Sequence, residues 1–408
     1  MMNDKLNKNI PQLRFPEFDG EWDIKTLDQI TTRIGDGIHS TPEYNDNGNY
    51  YFINGNNLVD GKIEIFETTK KVEESEAIKH NRELSDRTIL LSINGTIGNL
   101  AFYTNEKVML GKSAAYLNIR NEVDKEFIYN SLKISKTQNF FFSELTGSTI
   151  KNLSLKTIRE TKIPIPTPAE QTRIATFLSA VDKRINLLQK KKAQLEQYKK
   201  GVMHKLFSQT IRFKYDNGNN FPDWEEKMLG EVGIFISGIG FANIEQGGQT
   251  GIPFLKVSDM NLVGNNKKIT VANNYVNIEQ IERLKYKPIL EDSIIFAKVG
   301  AAIFLERKRI ASNFLIDNNM MSYTPKGEIK FFKHLFDTLR LSKFAQVGAL
   351  PSYNASDLKT IKIRLPSKPE QQKIAKFLSS IDKSIENVGK QIEASQEWKK
   401  GLLQKMFV

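Results

Sequence analysis

The chain contains one stretch twice, and this repeat constrains the fold more than any other feature. Residues 162–207 align without a gap with residues 362–407, and 19 of the 46 aligned positions are identical. Exchanges of similar residues, such as Tyr198 for Trp398, extend the likeness. A chain of 408 residues is too long for one ordinary core, so two or three domains are expected. The repeat predicts two half-units, each a globular segment followed by a long helix.

Each copy of the repeat has the pattern of a long amphipathic helix. Both copies begin with Ser/Thr-x-x-Glu, a capping box in which the Glu side chain can bond to the backbone of the capping residue. Apolar residues then follow at steps of three and four, a heptad stripe typical of a coiled-coil seam. The predicted seam and docking residues are Glu170, Gln171, Ile174, Leu178, Val181, Ile185 and Leu188 in the first copy, and Glu370, Gln371, Ile374, Leu378, Ile381, Ile385, Val388 and Ile392 in the second.

The two predicted helices have two possible packing partners. Each could pack on its neighbouring globular segment, or the two could pack on each other. Matched lengths and seams favour the second interpretation, with antiparallel helices and the globular segments at opposite ends. The predicted boundaries are 1–162 for an N-terminal arm and the first globular domain, 163–208 for the central helix, 209–362 for a linker and the second domain, and 363–408 for the C-terminal helix.

The two globular segments have the pattern of mixed α/β domains. Short β-type runs such as Tyr50–Ile53, Thr88–Ile93 and Ser293–Val299 alternate with Gly- and Asn-rich turns. One helix is predicted over Lys125–Phe142 and another near Phe331–Phe344. The predicted fold class is α+β: two mixed α/β domains held apart by a long antiparallel coiled coil, with a pseudo-two-fold half-repeat.

Composition narrows the class of protein. The net charge of +12 and the pI near 9.4 favour an acidic partner, of which nucleic acid is the commonest. The alternative is that the excess lysine only solvates the surface. The chain has no Cys, which excludes disulfides and thiolate catalysis and fits a reducing cytoplasm. Its four His are scattered, so no metal site is predicted. No signal peptide and no membrane segment are expected.

The motifs of DNA-acting enzymes are missing from the sequence. It contains neither Asn-Pro-Pro-Phe/Tyr, the amino-methyltransferase signature, nor Gly-x-Gly-x-x-Gly. Residues 111–113 (Gly-Lys-Ser) resemble the end of a P-loop, but Glu106 stands where the first glycine is required. Asp19 with residues 23–25 (Asp-Ile-Lys) weakly resembles a nuclease set, although surface charge beside Trp22 is the favoured interpretation. We therefore predict no catalytic residue.

Glycine-rich polar loops are the best candidates for binding nucleic acid. Small residues let the backbone approach a groove, and hydroxyl, amide and imidazole groups can bond to base edges or phosphates. For each loop the alternative is an ordinary polar surface loop. The candidates are Asp36, Gly37, His39, Ser40, Thr41, Thr96, Ser148, Thr149, Lys151 and Asn152 in the first segment, and Gly238, Gly240, Lys298, Ser352, Tyr353 and Asn354 in the second.

Several motifs together resemble the specificity subunits of type I restriction–modification systems. They are residues 168–171 (Pro-Ala-Glu-Gln), 369–371 (Pro-Glu-Gln), 36–42 (Asp-Gly-Ile-His-Ser-Thr-Pro) and the strand–glycine loops at 86–98 and 292–300. The resemblance covers the whole chain. It implies two target recognition domains, each reading one half of a split, asymmetric DNA target. It also implies two conserved helices that set the spacer length and dock methyltransferase subunits.

The resemblance also implies partners and cofactors. The partners would be double-stranded DNA, two methyltransferase (modification) subunits and motor–nuclease (restriction) subunits, and the chain itself would be a non-catalytic, cytoplasmic component. S-adenosylmethionine, ATP and Mg²⁺ are expected only in the partner subunits. The second segment departs from the pattern, because residues 237–241 (Ser-Gly-Ile-Gly-Phe) replace the Asp-Gly-x-His-x-Thr-Pro run. Two other classes stay open: a stand-alone nuclease using carboxylates near residues 19–25, and a coiled-coil interaction protein with no DNA role.

Overall fold

The protein was analysed as a computed structural model, and it divides into two compact units. The described residues are 9–147, 151–346, 348 and 350–408. Unit 1 comprises Met1–Gln189 and Lys390–Val408, and unit 2 comprises Lys190–Gly389. We call residues 22–165 head 1 and residues 224–365 head 2. Each unit contains one head and parts of two long helices.

Head 1 consists of a central four-stranded antiparallel sheet with further short strands and helices around it. Its strands are β1 (Asp23–Thr26), β2 (Thr31–Asp36), β3 (Tyr50–Ile53), β4 (Leu58–Val59), β5 (Lys62–Ile63), β6 (Lys71–Val72), β7 (Thr88–Ser92), β8 (Leu100–Phe102), β9 (Val108–Leu110), β10 (Ala114–Ile119) and β11 (Lys162–Ile165). Its helices are α1 (Leu27–Ile30), α2 (Glu74–Lys79), α3 (Lys125–Lys133), α4 (Ser135–Ser143) and α5 (Leu155–Glu160). The central sheet has the order β2-β10-β7-β8, a smaller sheet has the order β6-β3-β9, and β1 pairs with β11. Every residue of β7 and β10 is buried, so these strands form the centre of the head.

Head 2 repeats this plan with different residues. The first long helix, α6 (Pro168–Phe207), leads into it from unit 1. Its strands are β12 (Glu225–Met228), β13 (Gly233–Ser237), β14 (Ile252–Leu255), β15 (Tyr275–Val276), β16 (Ser293–Ala297), β17 (Lys308–Ala311), β18 (Leu315–Ile316), β19 (Met320–Pro325) and β20 (Lys362–Leu365). Its helices are α7 (Leu229–Val232), α8 (Ile278–Leu284), α9 (Ile329–Thr338) and α10 (Ala355–Lys359), and the second long helix, α11 (Lys368–Met406), follows.

The strand connections confirm the predicted α+β class and the half-repeat. The central sheet of head 2 has the order β13-β19-β16-β17, which matches that of head 1 strand for strand. In each head a smaller sheet contains one parallel pair, β3 with β9 and β14 with β18. In each head the first and last strands also pair, β1 with β11 and β12 with β20. The two heads therefore share one topology although most of their residues differ.

The long helices run antiparallel to each other within each unit. In unit 1, Leu178 near the start of α6 shares a buried cluster with Leu402 near the end of α11, and Lys399 Nζ lies 2.6 Å from the Asp182 carboxylate. In unit 2 the relation is reversed, since Lys199 in the second half of α6 bonds to Asp382 in the first half of α11 at 2.8 Å. The two ion pairs occupy equivalent positions of the repeat and fix the register of the helices.

The helices pack on the heads as well as on each other. The cluster that holds Leu178 and Leu402 also includes Phe127 of head 1. In unit 2, Leu378 shares its cluster with Phe331 of head 2. The two interpretations that the sequence left open are therefore both realised. The buried members of the predicted seam are Ile174, Leu178, Val181, Ile185, Ile374, Leu378, Ile381, Val388 and Ile392, and Leu188 and Ile385 are half-buried.

The predicted capping boxes at the starts of both long helices are wrong, and only the first copy keeps the bond to its capping hydroxyl. The Thr167 hydroxyl does accept from the Glu170 backbone N–H at 3.4 Å. The Glu170 carboxylate, however, accepts from Arg14 Nε and Nη2 at 2.8 and 2.7 Å instead of bonding to the capping backbone. The Glu170 side chain is 1% exposed. A buried carboxylate without a cation costs more free energy than a helix start without the second bond of its capping box, so Glu170 pairs with Arg14.

Unit 2 has the same Arg–Glu pair, and we call each pair an Arg–Glu clasp. The Ser367 hydroxyl, in contrast to that of Thr167, is buried and has no hydrogen-bond partner in the described part of the chain. Glu370 accepts from Arg212 Nε and Nη2 at 3.2 and 2.9 Å, and from Trp224 Nε1 at 3.1 Å. Hydrogen bonding to the carboxylate raises the pKa of the Arg14 and Arg212 guanidinium groups, against the opposing effect of burial. Each clasp joins the segment before a head to the start of the long helix after that head.

Two predicted helices are each divided in the structure. The helix expected over Lys125–Phe142 is interrupted at Ile134, which is extended with φ −65° and ψ 148°. The Thr137 hydroxyl donates to the Ser131 carbonyl at 2.8 Å and so satisfies an acceptor that the break exposes. The helix expected near Phe331–Phe344 is α9 followed by a separate 3₁₀ turn.

The described residues include neither a candidate membrane helix nor a candidate metal site. No helix in the described part of the chain has the length and apolar character needed to cross a membrane. Among the same residues, no group of three or more His, Asp or Glu side chains is placed to hold a metal ion.

Candidate nucleic-acid interface

One edge of the central sheet of head 1 gathers three loops. Asp36 pairs with Ala115, which also pairs with Leu91. Leu91 in turn pairs with Leu100. β2 and β7 therefore end, and β8 and β10 begin, along one line across the sheet. We call the loops at this line, residues 36–41, 93–99 and 111–113, loop edge 1.

The first of these loops is fixed by a glycine and presents polar side chains. A Cβ on Gly37 would lie 2.1 Å from the Leu110 carbonyl oxygen, so only glycine fits there. His39 is 72% exposed at its side chain, and its Nε2 lies 2.8 Å from the Asp36 carboxylate. Ser40 and Thr41 are exposed. The loop thus combines a rigid backbone with imidazole and hydroxyl groups at its surface.

A second set of polar residues meets at the same edge, and it includes the predicted residues Thr96, Lys151 and Asn152. Asn94, just after β7, forms a bridge with Asn152, and its Nδ2 donates to Asn152 Oδ1 at 3.3 Å. Thr96 is exposed, with its hydroxyl 3.1 Å from that of Ser92. Lys151 is exposed as well. The structure therefore brings the loop after β7 into contact with residues 151–152. The sequence identified both segments but not that they meet. Ser148 and Thr149 lie outside the described residues.

Head 2 builds an equivalent edge from other residues. Ser237 pairs with Met321, which stands beside Phe296 of β16, and Phe296 pairs with Lys308. Residues 237–241, 298–307 and 317–319 therefore meet at one line, which we call loop edge 2. A Cβ on Gly238 would lie 1.7 Å from the Asp317 carbonyl oxygen, the same kind of close approach that Gly37 makes in head 1.

Lys298 and Ser352 lie together at loop edge 2. The Lys298 backbone N–H donates to the Asn319 carbonyl at 2.7 Å, and Ser352 forms a bridge with Val299. Gly240 is exposed, and a Cβ there would meet no atom within 4 Å. Ser352 thus corresponds to Asn152 of head 1. Each forms a bridge with a residue in the loop that follows a central strand, Val299 after β16 and Asn94 after β7.

Two of the predicted residues stabilise head 2 itself, one in its core and one as a helix cap. Tyr353 is 3% exposed, and its ring lies 6.0 Å from that of Phe296 inside head 2. The Asn354 side chain accepts from the Ser356 backbone N–H at 3.1 Å and caps α10. The prediction that the Tyr353 side chain faces a ligand is therefore wrong in this structure. A large aromatic ring buries more apolar surface in the core than it could in an exposed loop.

Sequence reasoning missed two lysines at these edges. Lys112 is exposed on the turn between β9 and β10, where the Ala114 backbone N–H donates to the Gly111 carbonyl at 3.0 Å. Lys256 follows β14, and its Nζ lies 5.5 Å from the centre of the Phe241 ring. The available signal was a lysine within two residues of the end of a strand. The Gly-Lys-Ser triplet had been considered only as part of a P-loop.

Loop edge 2 includes one buried carboxyl group. Asp317 is 7% exposed and accepts from the Asn319 backbone N–H at 3.1 Å and from its Nδ2 at 3.2 Å. Burial raises the pKa of the Asp317 carboxyl above its ordinary value, although these hydrogen bonds oppose the change.

Both edges suit contact with nucleic acid. Hydroxyl, amide and imidazole groups on rigid loops can bond to base edges, and lysines beside them can neutralise phosphates. The residues that weakly resemble a nuclease site are not part of either edge. Asp23 and Lys25 lie on β1, which pairs with β11. Two loop edges of this kind on one chain are typical of a nucleic-acid-binding protein with two reading heads.

Comparison with known proteins identifies the family. The family model described as "Type I restriction modification DNA specificity domain" matches residues 19–197 and 222–396. The chain therefore belongs to the family of type I restriction–modification DNA specificity subunits. It is 28% identical to the MjaIX specificity subunit of Methanocaldococcus jannaschii, over 95% of this chain and 92% of that one. It is 29% identical to the MjaVIII specificity subunit of the same organism, over 79% of each chain.

Solved structures share the fold. The S subunit of a type I system from Mycoplasma genitalium is 20% identical and aligns with a TM-score of 0.57 over 98% of this chain and 99% of that one. A chain from a structure of a type I restriction–modification system is 15% identical, with a TM-score of 0.59 over 95% and 97% of the two chains. These two likenesses concern the fold alone.

Proposed function

We propose that each head reads one half of a bipartite, asymmetric double-stranded DNA target, and that the chain itself performs no catalysis. The observation that carries this proposal is the loop edge, which occurs once in each head at the same place in the topology but with different side chains. Equivalent scaffolds with unlike polar loops suit two different half-sites. The resemblance and the family both support a DNA-recognition role.

Mapping methylated adenines tests the proposal directly. DNA from cells that co-express this chain with its modification subunit should carry methyl groups at one split, asymmetric sequence. The purified chain alone should neither methylate DNA with S-adenosylmethionine nor cut it with Mg²⁺. Methylation by the isolated chain would contradict the non-catalytic role, and a continuous target would contradict reading by two heads.

We further propose that the long helices dock two methyltransferase subunits, with motor–nuclease subunits joining the full complex. Equivalent aromatic side chains lie exposed on both helices, Trp398 at 51% in unit 1 and Tyr198 at 53% in unit 2. Trp398 also packs edge-on against Phe177, with ring centres 6.0 Å apart. Two like surfaces suit two copies of one partner. S-adenosylmethionine, ATP and Mg²⁺ would belong to these partners, and the complex would act on DNA in the cytoplasm.

The helices are also proposed to set the length of the spacer between the half-sites. Inserting four residues after Leu188 adds slightly more than one turn, so the seam keeps nearly the same face while the helix lengthens by ~6 Å. We expect the mapped spacer to change by one to two base pairs, on the order of 3.4 Å each, with both half-sites unchanged. Adenine mapping in co-expressing cells gives the spacer directly.

A matched insertion separates helix length from chain length. Four residues added after Asn217, in the exposed turn closed by the Gly218 N–H and the Tyr215 carbonyl at 2.9 Å, should leave the spacer as it was. A change in the half-site sequences, or an equal change from both insertions, would show that the helices do not measure the spacer.

A further inference from the structure

Head 2 exposes two adjacent apolar side chains on one of its loops. Phe304 is 59% exposed and Leu305 is 60% exposed. Both belong to a 3₁₀ turn, Ala301–Leu305, in the connection between β16 and β17. Single exposed apolar residues are ordinary on protein surfaces, but two large neighbours at the end of one loop mark a candidate contact surface. We call Phe304 and Leu305 the apolar tip.

The structure holds the apolar tip in place. Before it, the Gly300 backbone N–H donates to the Pro351 carbonyl at 2.8 Å, and Gly300 has a φ of 81° that favours glycine. After it, the Glu306 carboxylate accepts from the Ser342 backbone N–H at 2.7 Å. The loop is anchored on both sides, so the exposure of Phe304 and Leu305 is a property of the fold and not of a loose segment.

The apolar tip lies within loop edge 2. Lys298 precedes it and Arg307 follows it along the loop. The strand positions that flank the loop, Phe296 and Lys308, are paired with each other at the edge where β13 ends. Arg307 donates to the Asn261 side chain, so Lys298 is the flanking cation that can meet a phosphate. The apolar tip lies on the same edge, where a groove-reading loop meets base edges.

We propose that Phe304 and Leu305 contact the 5-methyl group of thymine in the major groove of the half-site that head 2 reads. This methyl is the apolar group that an unmodified base pair presents there, and aromatic and aliphatic side chains recognise it by removing it from water. The proposal rests on the proposed function, because it requires head 2 to read DNA. Gly95, Thr96 and Asn99 are the exposed residues of the corresponding loop of head 1, and none of them has a large apolar side chain, so that head reads by other chemistry.

Deoxyuridine substitution tests the proposal at single methyl groups. Once the target is mapped, duplexes are made in which one thymidine of the head 2 half-site at a time is replaced by deoxyuridine, which pairs identically and lacks only the methyl. Binding is measured with the chain in complex with its modification subunits. We expect at least one position at which affinity falls about fourfold, the effect of one methyl group removed from water.

Variants connect that methyl to the apolar tip. Phe304→Ala should bind the thymidine and deoxyuridine duplexes equally, whereas Phe304→Leu, which keeps an apolar side chain, should retain a difference. Ile278→Ala is the matched control, because Ile278 is 65% exposed at the start of α8, which follows β15. β15 pairs with the first residues of β14 and not with its end at the edge, so this variant should keep the full fourfold difference.

Three results would overturn the assignment. Deoxyuridine without effect at every thymidine of that half-site would remove thymine methyl recognition. Equal sensitivity of Phe304→Ala and the parent chain would assign the methyl contact to other residues. Unchanged DNA affinity of Phe304→Ala together with weaker capture of the modification subunit would make the apolar tip a protein contact. Failure to map any bipartite target would instead contradict the proposed function, so the two failures can be told apart.

Discussion

Replacing Arg212 with alanine is expected to destabilise unit 2 by about 3 kcal/mol, because it leaves the Glu370 carboxylate buried without a cation. Glu370 is 0% exposed and accepts two hydrogen bonds from Arg212. The value lies at the low end for one partner of a buried pair, since the Arg212 side chain is 22% exposed and Trp224 keeps its bond to Glu370. Denaturant unfolding of the parent chain and the variant measures the difference.

Two further variants show whether the buried charge is the cause. Arg212→Met combined with Glu370→Met removes both charges and should recover most of the lost stability. An apolar pair carries no cost for removing charged groups from water. Lys362→Ala breaks an exposed ion pair with Glu226 and should have little effect. A loss for Arg212→Ala no greater than that for Lys362→Ala would mean that the clasp does not hold head 2 to the long helix.

Replacing Gly238 with alanine is expected to weaken binding of the mapped DNA target at least tenfold. The new Cβ would lie 1.7 Å from the Asp317 carbonyl oxygen, and backbone of two adjoining strands cannot move aside as a flexible side chain can. The loop must shift, at a cost of about 1–3 kcal/mol typical of overpacking. Target binding by the complex and the unfolding midpoint of the chain measure the two effects.

The same loop supplies the control for this prediction. Gly240 lies two residues further on, and a Cβ there meets no atom within 4 Å, so Gly240→Ala should preserve both stability and the position of the loop. Gly37→Ala in head 1 would face the Leu110 carbonyl at 2.1 Å and should act on the other half-site. Normal target binding by Gly238→Ala would show that the position of this loop is unimportant for recognition.

The amount of structure that the sequence predicted depends on whether a signal is local. The repeat, the long helices and the apolar seam follow from periodicity within one segment, and Leu178 and Leu378 are both fully buried as the stripe requires. The α+β class follows from short apolar runs between turns. Glycine-rich polar loops also identified Gly37 and Gly238, although the sequence could not reveal which backbone each one approaches.

The sequence by itself determined the duplicated plan, because helical periodicity and turn chemistry are written in neighbouring residues. Only the tertiary structure decided where the polar side chains go. Glu170 pairs with Arg14, 156 positions away, and not with the adjacent cap. Tyr353 enters the core, while Phe304 is left exposed at loop edge 2. The physical reason is that burial and charge pairing depend on which distant strands meet, and no local pattern encodes that meeting.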